Sequence, residues 1–117
     1  MLRFWRAIIN SCSGLIFAVR SDQAVREELV ALALALPAAW LIGATVMRAV
    51  ELIAAVAAVL AVELLNTAVE KLADRLTTDR DQQIKRVKDM GSAAVGVTLL
   101  TAGLFWLFAI AERMGVI

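Results

Sequence analysis

The sequence predicts an all-α membrane protein, with an N-terminal amphipathic surface helix followed by three transmembrane helices. Two observations predict it. Apolar residues fill 62% of the 117 positions, well above the usual globular share, yet charged residues still fill 20%. Both figures hold together when the charges are gathered into blocks between apolar runs, as they are here. Those runs also come close to the roughly 20 residues a helix needs to cross a bilayer. At this length the chain reads as a single domain, 1–117, with no Pro/Gly-rich linker, low-complexity tract or repeat to divide it.

The elements follow in order. Over 1–20, Leu2, Trp5, Ile8, Ile9, Cys12, Leu15, Ile16 and Val19 share one broad face at helical spacing. Arg3, Arg6, Asn10, Ser13 and Arg20 share the other, with Phe17 the apolar exception among them. A helix that is basic on one face and aromatic-aliphatic on the other lies in the headgroup region. It does not read as a signal peptide, because charges interrupt the apolar residues and no small-residue cleavage site follows. The first span, 29–47, has nineteen residues without a charge and contains Pro37, which a membrane setting tolerates. The second, 49–69, is apolar except for Glu51, Glu63 and Asn66. The third, 91–111, has twenty-one uncharged residues, and the stretch 71–90 before it reads as a loop rich in both signs of charge.

Basic residues set the orientation. Arg3, Arg6, Arg20 and Arg26 flank the first span, and Lys71, Arg75, Arg80, Lys85, Arg86 and Lys88 lie in the loop. The opposite side has only Arg48 and Arg113. The surface helix and the loop therefore face the cytoplasm, and three spans place them on the same side.

Composition removes several kinds of chemistry. With no histidine, acid–base and metal work falls to Asp, Glu and Lys. One cysteine, Cys12, excludes an internal disulfide and a thiolate cluster. A net charge of +1 gives no global field toward nucleic acid, and none is expected as a partner.

What remains concentrates where the second span meets the cytoplasm. Glu63, Asn66, Glu70 and Asp74 stand at i, i+3, i+7 and i+11, which puts them on a single helical stripe. Helical rise separates the Glu63 and Glu70 Cα atoms by about 10 Å, a span a triphosphate–metal unit can bridge. A carboxylate within the membrane costs roughly 2.5–3.5 kcal/mol at mid-helix and so usually marks a pathway or a site. Two readings stay open from the residues alone. The stripe either hydrogen-bonds to neighbouring helices, with Glu70 and Asp74 solvated, or it is a site suited to phosphoryl transfer. In the second reading carboxylates hold Mg²⁺ and lysines neutralise phosphate oxygens. No Walker A pattern, kinase Gly-rich loop or dinucleotide fingerprint occurs. Glu51, three residues after Arg48, reads as an ion pair at the opposite membrane face.

Three motifs resemble the bacterial integral-membrane diacylglycerol kinases, a family that includes undecaprenol kinases. Val62-Glu63-Leu64-Leu65-Asn66-Thr67-Ala68-Val69-Glu70-Lys71-Leu72-Ala73-Asp74 is similar to the signature E-x-x-N-[ST]-A-[IV]-E-x-x-x-D. Lys88-Asp89-Met90-Gly91-Ser92-Ala93-Ala94-Val95 is similar to K-D-x-x-x-x-A-V, and Ser21-Asp22-Gln23-Ala24-Val25-Arg26-Glu27-Glu28 to N-E-x-A-F-R-x-E. The resemblance covers essentially the whole chain without gaps. It implies a homotrimeric helical bundle in the bacterial inner membrane, with active sites shared between subunits at the cytoplasmic face. The implied reaction is transfer of the γ-phosphate of ATP to diacylglycerol, with Mg²⁺ as cofactor.

The resemblance also implies roles. Glu63 is the catalytic carboxylate that accepts the lipid hydroxyl's proton. Glu70 and Asp22 are the metal ligands, and Asn66 supports them. Arg3, Asn10, Asp22, Glu70, Asp79, Arg80, Asp81, Lys88 and Asp89 take the nucleotide, with Lys88 on its phosphates. Arg3, Ala24, Val25, Arg26, Glu27, Glu28, Glu63 and Ser92 take the lipid. Two positions depart from the pattern: Asp22 stands where glutamate is usual, so its carboxylate reaches one methylene less far, and Asn10 stands where many members have tyrosine.

Two rival functions use the same features. An undecaprenol kinase does the same chemistry on a polyprenyl alcohol; the run after Lys88-Asp89 looks more like the diacylglycerol-preferring members. A small proton-coupled exporter also uses a membrane-embedded glutamate, but usually in the first of four spans with short loops. Here the first span is uncharged.

Overall fold

The computed structural model describes residues 1–77 and 79–117. Four helices account for nearly all of them: α1 Leu2–Ser21, α2 Gln23–Ile42, α3 Val46–Leu76 and α4 Gln82–Arg113, with no strand among the described residues. The chain is all-α, as its periodicity predicts.

α1 and α2 are separated by one residue. Asp22 has extended backbone (φ −136°, ψ 119°), ends α1 through its N–H on Ala18 O, and starts α2 by accepting the Ala24 N–H on its side chain. An aspartate is among the favoured residues for such an N-cap. Arg26 closes the joint from the other side, donating from Nη1 to the Val19 and Arg20 carbonyls at the C-terminus of α1.

α2 continues through Pro37 and ends at Gly43, whose N–H bonds Ala39 O at 2.8 Å. Thr45 then caps α3, its Oγ1 accepting the Arg48 N–H at 3.1 Å. This turn corrects the expected span 29–47, because α2 stops at Ile42 and Met47 already belongs to α3. A hydropathy count reads through uncharged caps such as Gly43 and Thr45, whereas the backbone does not. The turn also requires its glycine. A Cβ at position 43 would come within 2.9 Å of the Ala49 backbone nitrogen. The expected loop 71–90 is likewise mostly helical. α3 continues to Leu76 and α4 begins at Gln82, capped by Asp81 Oδ1 on the Gln83 and Ile84 amides. Lys, Arg, Glu and Gln propagate a helix well in water, so charge did not end these helices.

By length and composition alone, Leu2–Ser21, Val46–Leu76 and Gln82–Arg113 are apolar enough to cross a membrane. α2 is not among them. Its first turns carry Arg26, Glu27 and Glu28, and its uncharged part, 29–42, rises only about 21 Å.

α3 is the central element and packs against both α2 and α4, while α1 leans mainly on α2. The contact faces are built from small residues: Ala35, Ala39, Ala49, Ala73, Ala102 and Ala109 are all buried. Small side chains let helix backbones approach closely where lipid supplies no hydrophobic drive between them. Leu52 is fully buried at the turn end, among Ala39, Ala49 and Ala109, and its carbonyl accepts the Trp106 indole N–H at 3.2 Å. At the same end Arg48 donates to Glu51 at 2.7 Å, the pair its spacing predicts, and forks onto both oxygens of Glu112 on α4. Most large apolar side chains, including Leu34, Trp40, Leu65, Leu100, Leu104 and Leu107, point outward and are exposed. An apolar exterior on this scale suits hydrocarbon or another protein surface rather than water.

Candidate active site

Among the described residues only three polar or charged side chains are buried: Glu63 (8% exposed), Asn66 (8%) and Thr67 (4%). They fall within five consecutive positions on one side of α3, and helical periodicity alone brings them together. Each has a different environment.

Asn66 Nδ2 donates to Glu70 Oε1 at 3.2 Å, one turn toward the charged end of α3. The Asn66 Oδ1 is buried with no hydrogen-bond partner. It lies against Gly91 of α4, where a Cβ would overlap it. Thr67 Oγ1 donates to Asp22 Oδ2, across 45 positions, and so brings the α1–α2 joint onto α3. Thr67 and Glu70 are three residues apart on the helix, so the Asp22 carboxylate meets α3 one turn before Glu70. The Asp22, Glu70 and Glu28 carboxylates all lie within Coulombic reach of Glu63. Asp22 is held below the ordinary carboxylate range, first by the Thr67 hydroxyl and then by the Ala24 and Val25 amides and the Lys71 charge, against the effect of burial.

One cation, Lys71, acts on Asp22 of this group, and others lie farther along α3 and α4. Lys71 sits with its Nζ 5.2 Å from the Phe17 ring centre, within cation–π range, which gives the out-of-pattern Phe17 a partner. Lys88 of α4 pairs with Asp74 of α3 at 2.6 Å, and Asp89 pairs with Lys85 at 2.7 Å. Asp79, Arg80, Asp81, Lys85 and Lys88 line a hollow of about 590 Å³ between the ends of α3 and α4.

The structure thus gathers Asp22, Glu28, Glu63, Asn66 and Glu70 at one place and Asp79, Arg80, Asp81 and Lys88 at another. Val25 is fully buried beside the joint, Ala24 is half-buried, and Glu27 is exposed and takes the Gln23 amide at 3.0 Å. Ser92 is exposed on α4 one position past Gly91. Arg3 and Asn10 are not gathered. Both are exposed on α1, whose rise puts them about 28 Å and 18 Å from Asp22 along the helix. Sequence reasoning assigned no part to Thr67, Gly91 or Lys71. The signals were present: a hydroxyl inside the Glu63–Glu70 stripe, and a glycine held in a helix where it costs about 1 kcal/mol relative to alanine.

Hard oxygen donors of this kind fit Mg²⁺. Among the described residues no group of three or more acidic side chains is close enough to hold a metal alone. That also fits, because Mg²⁺ commonly takes one or two carboxylates and fills its shell with water and substrate phosphates.

Comparison with known proteins identifies the setting. A family model described as prokaryotic diacylglycerol kinase matches residues 9–110. The chain belongs to this family. Relatives named diacylglycerol kinase include that of Haemophilus influenzae, 36% identical over 82% of this chain and 81% of the relative. That of Escherichia coli K12 is 34% identical over 97% and 93%, and that of Pseudomonas aeruginosa 34% identical over 89% and 85%. The matched segment contains Asp22, Glu63, Asn66, Thr67 and Glu70.

Proposed function

We propose that this chain is a lipid kinase that transfers the γ-phosphate of MgATP to the free hydroxyl of 1,2-diacylglycerol, giving phosphatidic acid and ADP. The observation that carries the reading is the set of buried polar residues on α3, Glu63, Asn66 and Thr67, in a member of a diacylglycerol kinase family whose remaining surface is largely apolar.

Glu63 is the general base. It takes the hydroxyl proton as the lipid oxygen bonds to the γ-phosphorus and the bond from that phosphorus to the β-phosphate oxygen breaks. Its burial between helices keeps water from competing for the phosphoryl group. Asp22 and Glu70 hold Mg²⁺, which when bound neutralises phosphate charge. Asn66 orients Glu70 by its hydrogen bond. Lys88 exchanges Asp74 for a phosphate oxygen, Asp79, Arg80 and Asp81 border the hollow that receives the rest of the nucleotide, and Asp89 reaches it through its ion pair with Lys85. Arg26, Glu28 and Ser92, with Ala24 and Glu27, border the lipid, and Val25 packs beneath them.

In the bilayer α2, α3 and α4 are the spanning helices and α1 lies in the headgroup layer, where its two faces are satisfied at once. The short apolar part of α2 is accommodated by local thinning and by Arg26 reaching into the interface. The basic segments place the site at the cytoplasmic face of the inner membrane. A homotrimer with shared sites is supported by the distance of Arg3 and Asn10 from Asp22 in one chain, because a neighbouring α1 can bring them to it.

The test is transfer of labelled phosphate from MgATP in mixed micelles offering diacylglycerol and undecaprenol in parallel. Labelled phosphatidic acid as the main product is expected. Undecaprenyl phosphate in its place would retain the mechanism and replace the substrate, and no transfer to either lipid by folded protein would overturn the reading.

A further inference from the structure

Thr67 behaves unlike the other helical hydroxyls. A serine or threonine within a helix commonly returns its hydroxyl to the carbonyl four residues back. Ser11, Thr98 and Thr101 do so, onto Ala7, Ala94 and Val97 at 2.9, 2.8 and 2.9 Å. Thr67 instead sends its proton out of its own helix to Asp22. It is the most deeply buried polar side chain described, and its branched Cβ restricts it to few rotamers.

The receiving carboxylate has little else to hold it. Asp22 is the single residue between α1 and α2, and apart from Thr67 it is engaged by the amides of its own cap, the Ala24 N–H at 2.8 Å and that of Val25 beside it. Among the described residues the Thr67–Asp22 bond is the one side-chain hydrogen bond that ties this joint to α3. Each carboxylate oxygen keeps a further lone pair, so both bonds orient the group without exhausting it. The adjacent residue, Asn66, orients Glu70 in the same manner. Two consecutive uncharged side chains on α3 thus set two carboxylates that come from different parts of the chain.

We propose that Thr67 is a positioning residue for the metal–nucleotide side of the site, its hydroxyl fixing the Asp22 carboxylate in the place where it meets Mg²⁺. The proposal rests on Asp22 being a metal ligand. Groups that orient metal ligands change metal affinity or activity by about 10–100-fold when removed. Loss of the hydroxyl therefore weakens binding of the metal and of MgATP and leaves the transfer step, which belongs to Glu63, nearly as fast at saturation.

The experiment compares wild type with Thr67→Val, Thr67→Ala, Thr67→Ser and Asp22→Asn in mixed micelles. Two quantities are read: binding of Mn²⁺, standing in for Mg²⁺, with a non-hydrolysable ATP analogue, and the dependence of transfer rate on MgATP. Thr67→Val is expected to weaken Mn²⁺ binding and raise the MgATP half-saturation by about 10-fold, with kcat within about 3-fold. Thr67→Ser restores both, and Thr67→Val adds no further loss to Asp22→Asn. Thr67→Ala removes the hydroxyl with less volume, so the comparison stands even if the valine variant does not fold. Wild-type Mn²⁺ affinity in the folded hydroxyl-free variants, or a fall in kcat at unchanged half-saturation, would overturn the proposal. Wild-type protein that phosphorylates neither lipid would instead overturn the kinase reading, and the Mn²⁺ titration would still decide the role of Thr67.

Discussion

Gly91→Ala should separate stability from catalysis. Position 91 lies inside α4, where alanine is favoured over glycine by about 1 kcal/mol. Against that gain, a methyl at 91 overlaps Asn66 Oδ1, and forcing an extra methyl into a packed interface costs about 1–3 kcal/mol. The obstructing atom is the tip of a side chain and not backbone, so Asn66 turns aside and the lower end of that cost applies. The two effects nearly cancel, and stability should change by no more than about 1 kcal/mol. Catalysis should not be spared. When Asn66 turns it gives up its 3.2 Å bond to Glu70, the metal ligand proposed above, and loss of a ligand's orienting partner costs about 10-fold or more in affinity or rate. The assay pairs equilibrium unfolding in micelles with initial rates of phosphatidic acid formation across MgATP concentrations. Gly103→Ala serves as the propensity control, because no atom lies within 4 Å of its added methyl. Wild-type kinetics in Gly91→Ala would refute the reasoning. So would a large loss of stability, since it would mean that Asn66 cannot move aside.

Other outcomes follow from the same geometry. Glu63→Gln keeps the size and the buried contacts but removes the proposed base, so initial rates should fall by about 10²–10⁴-fold in protein that remains folded by circular dichroism and size exclusion. Asp22, held below the ordinary carboxylate range by Thr67, contributes stability above its unfolded value, near about 3.9, and loses it as pH falls through its lower folded value. The stability difference between wild type and Asp22→Asn should therefore shrink as unfolding is followed from about pH 5 down toward pH 2. Arg48→Ala leaves Glu51 and Glu112 facing each other without their cation. Their side chains are 35% and 29% exposed, so the loss of stability should be smaller than that from breaking a fully buried pair. Chemical unfolding should report that loss, while the transfer rate should not change, since the proposed site lies at the other end of α3.

Much of the chain was legible because helix periodicity is a local property. Once α3 is a helix, Glu63, Asn66 and Glu70 must share a face whatever packs against it, and Arg48 must meet Glu51 one turn on. The segregation of charge likewise marked the ends of the bundle. The misread boundaries have a local cause as well. Gly43 and Thr45 end and restart helices without carrying charge, and Lys71 to Leu76 extend α3 into water because charged side chains do not break a helix.

The sequence by itself determined the helices, the polar stripe along α3 and, through its motifs, the kinase family. Tertiary structure alone decided which partners complete that stripe: Thr67 on Asp22, Gly91 beneath Asn66, Lys88 on Asp74 and Glu112 on Arg48. These pairings depend on how alanine-lined helix faces dock, which is the sum of many weak contacts spread over distant positions. No spacing along the chain encodes that sum, so a stripe can be read from the sequence while the groups that aim its carboxylates cannot.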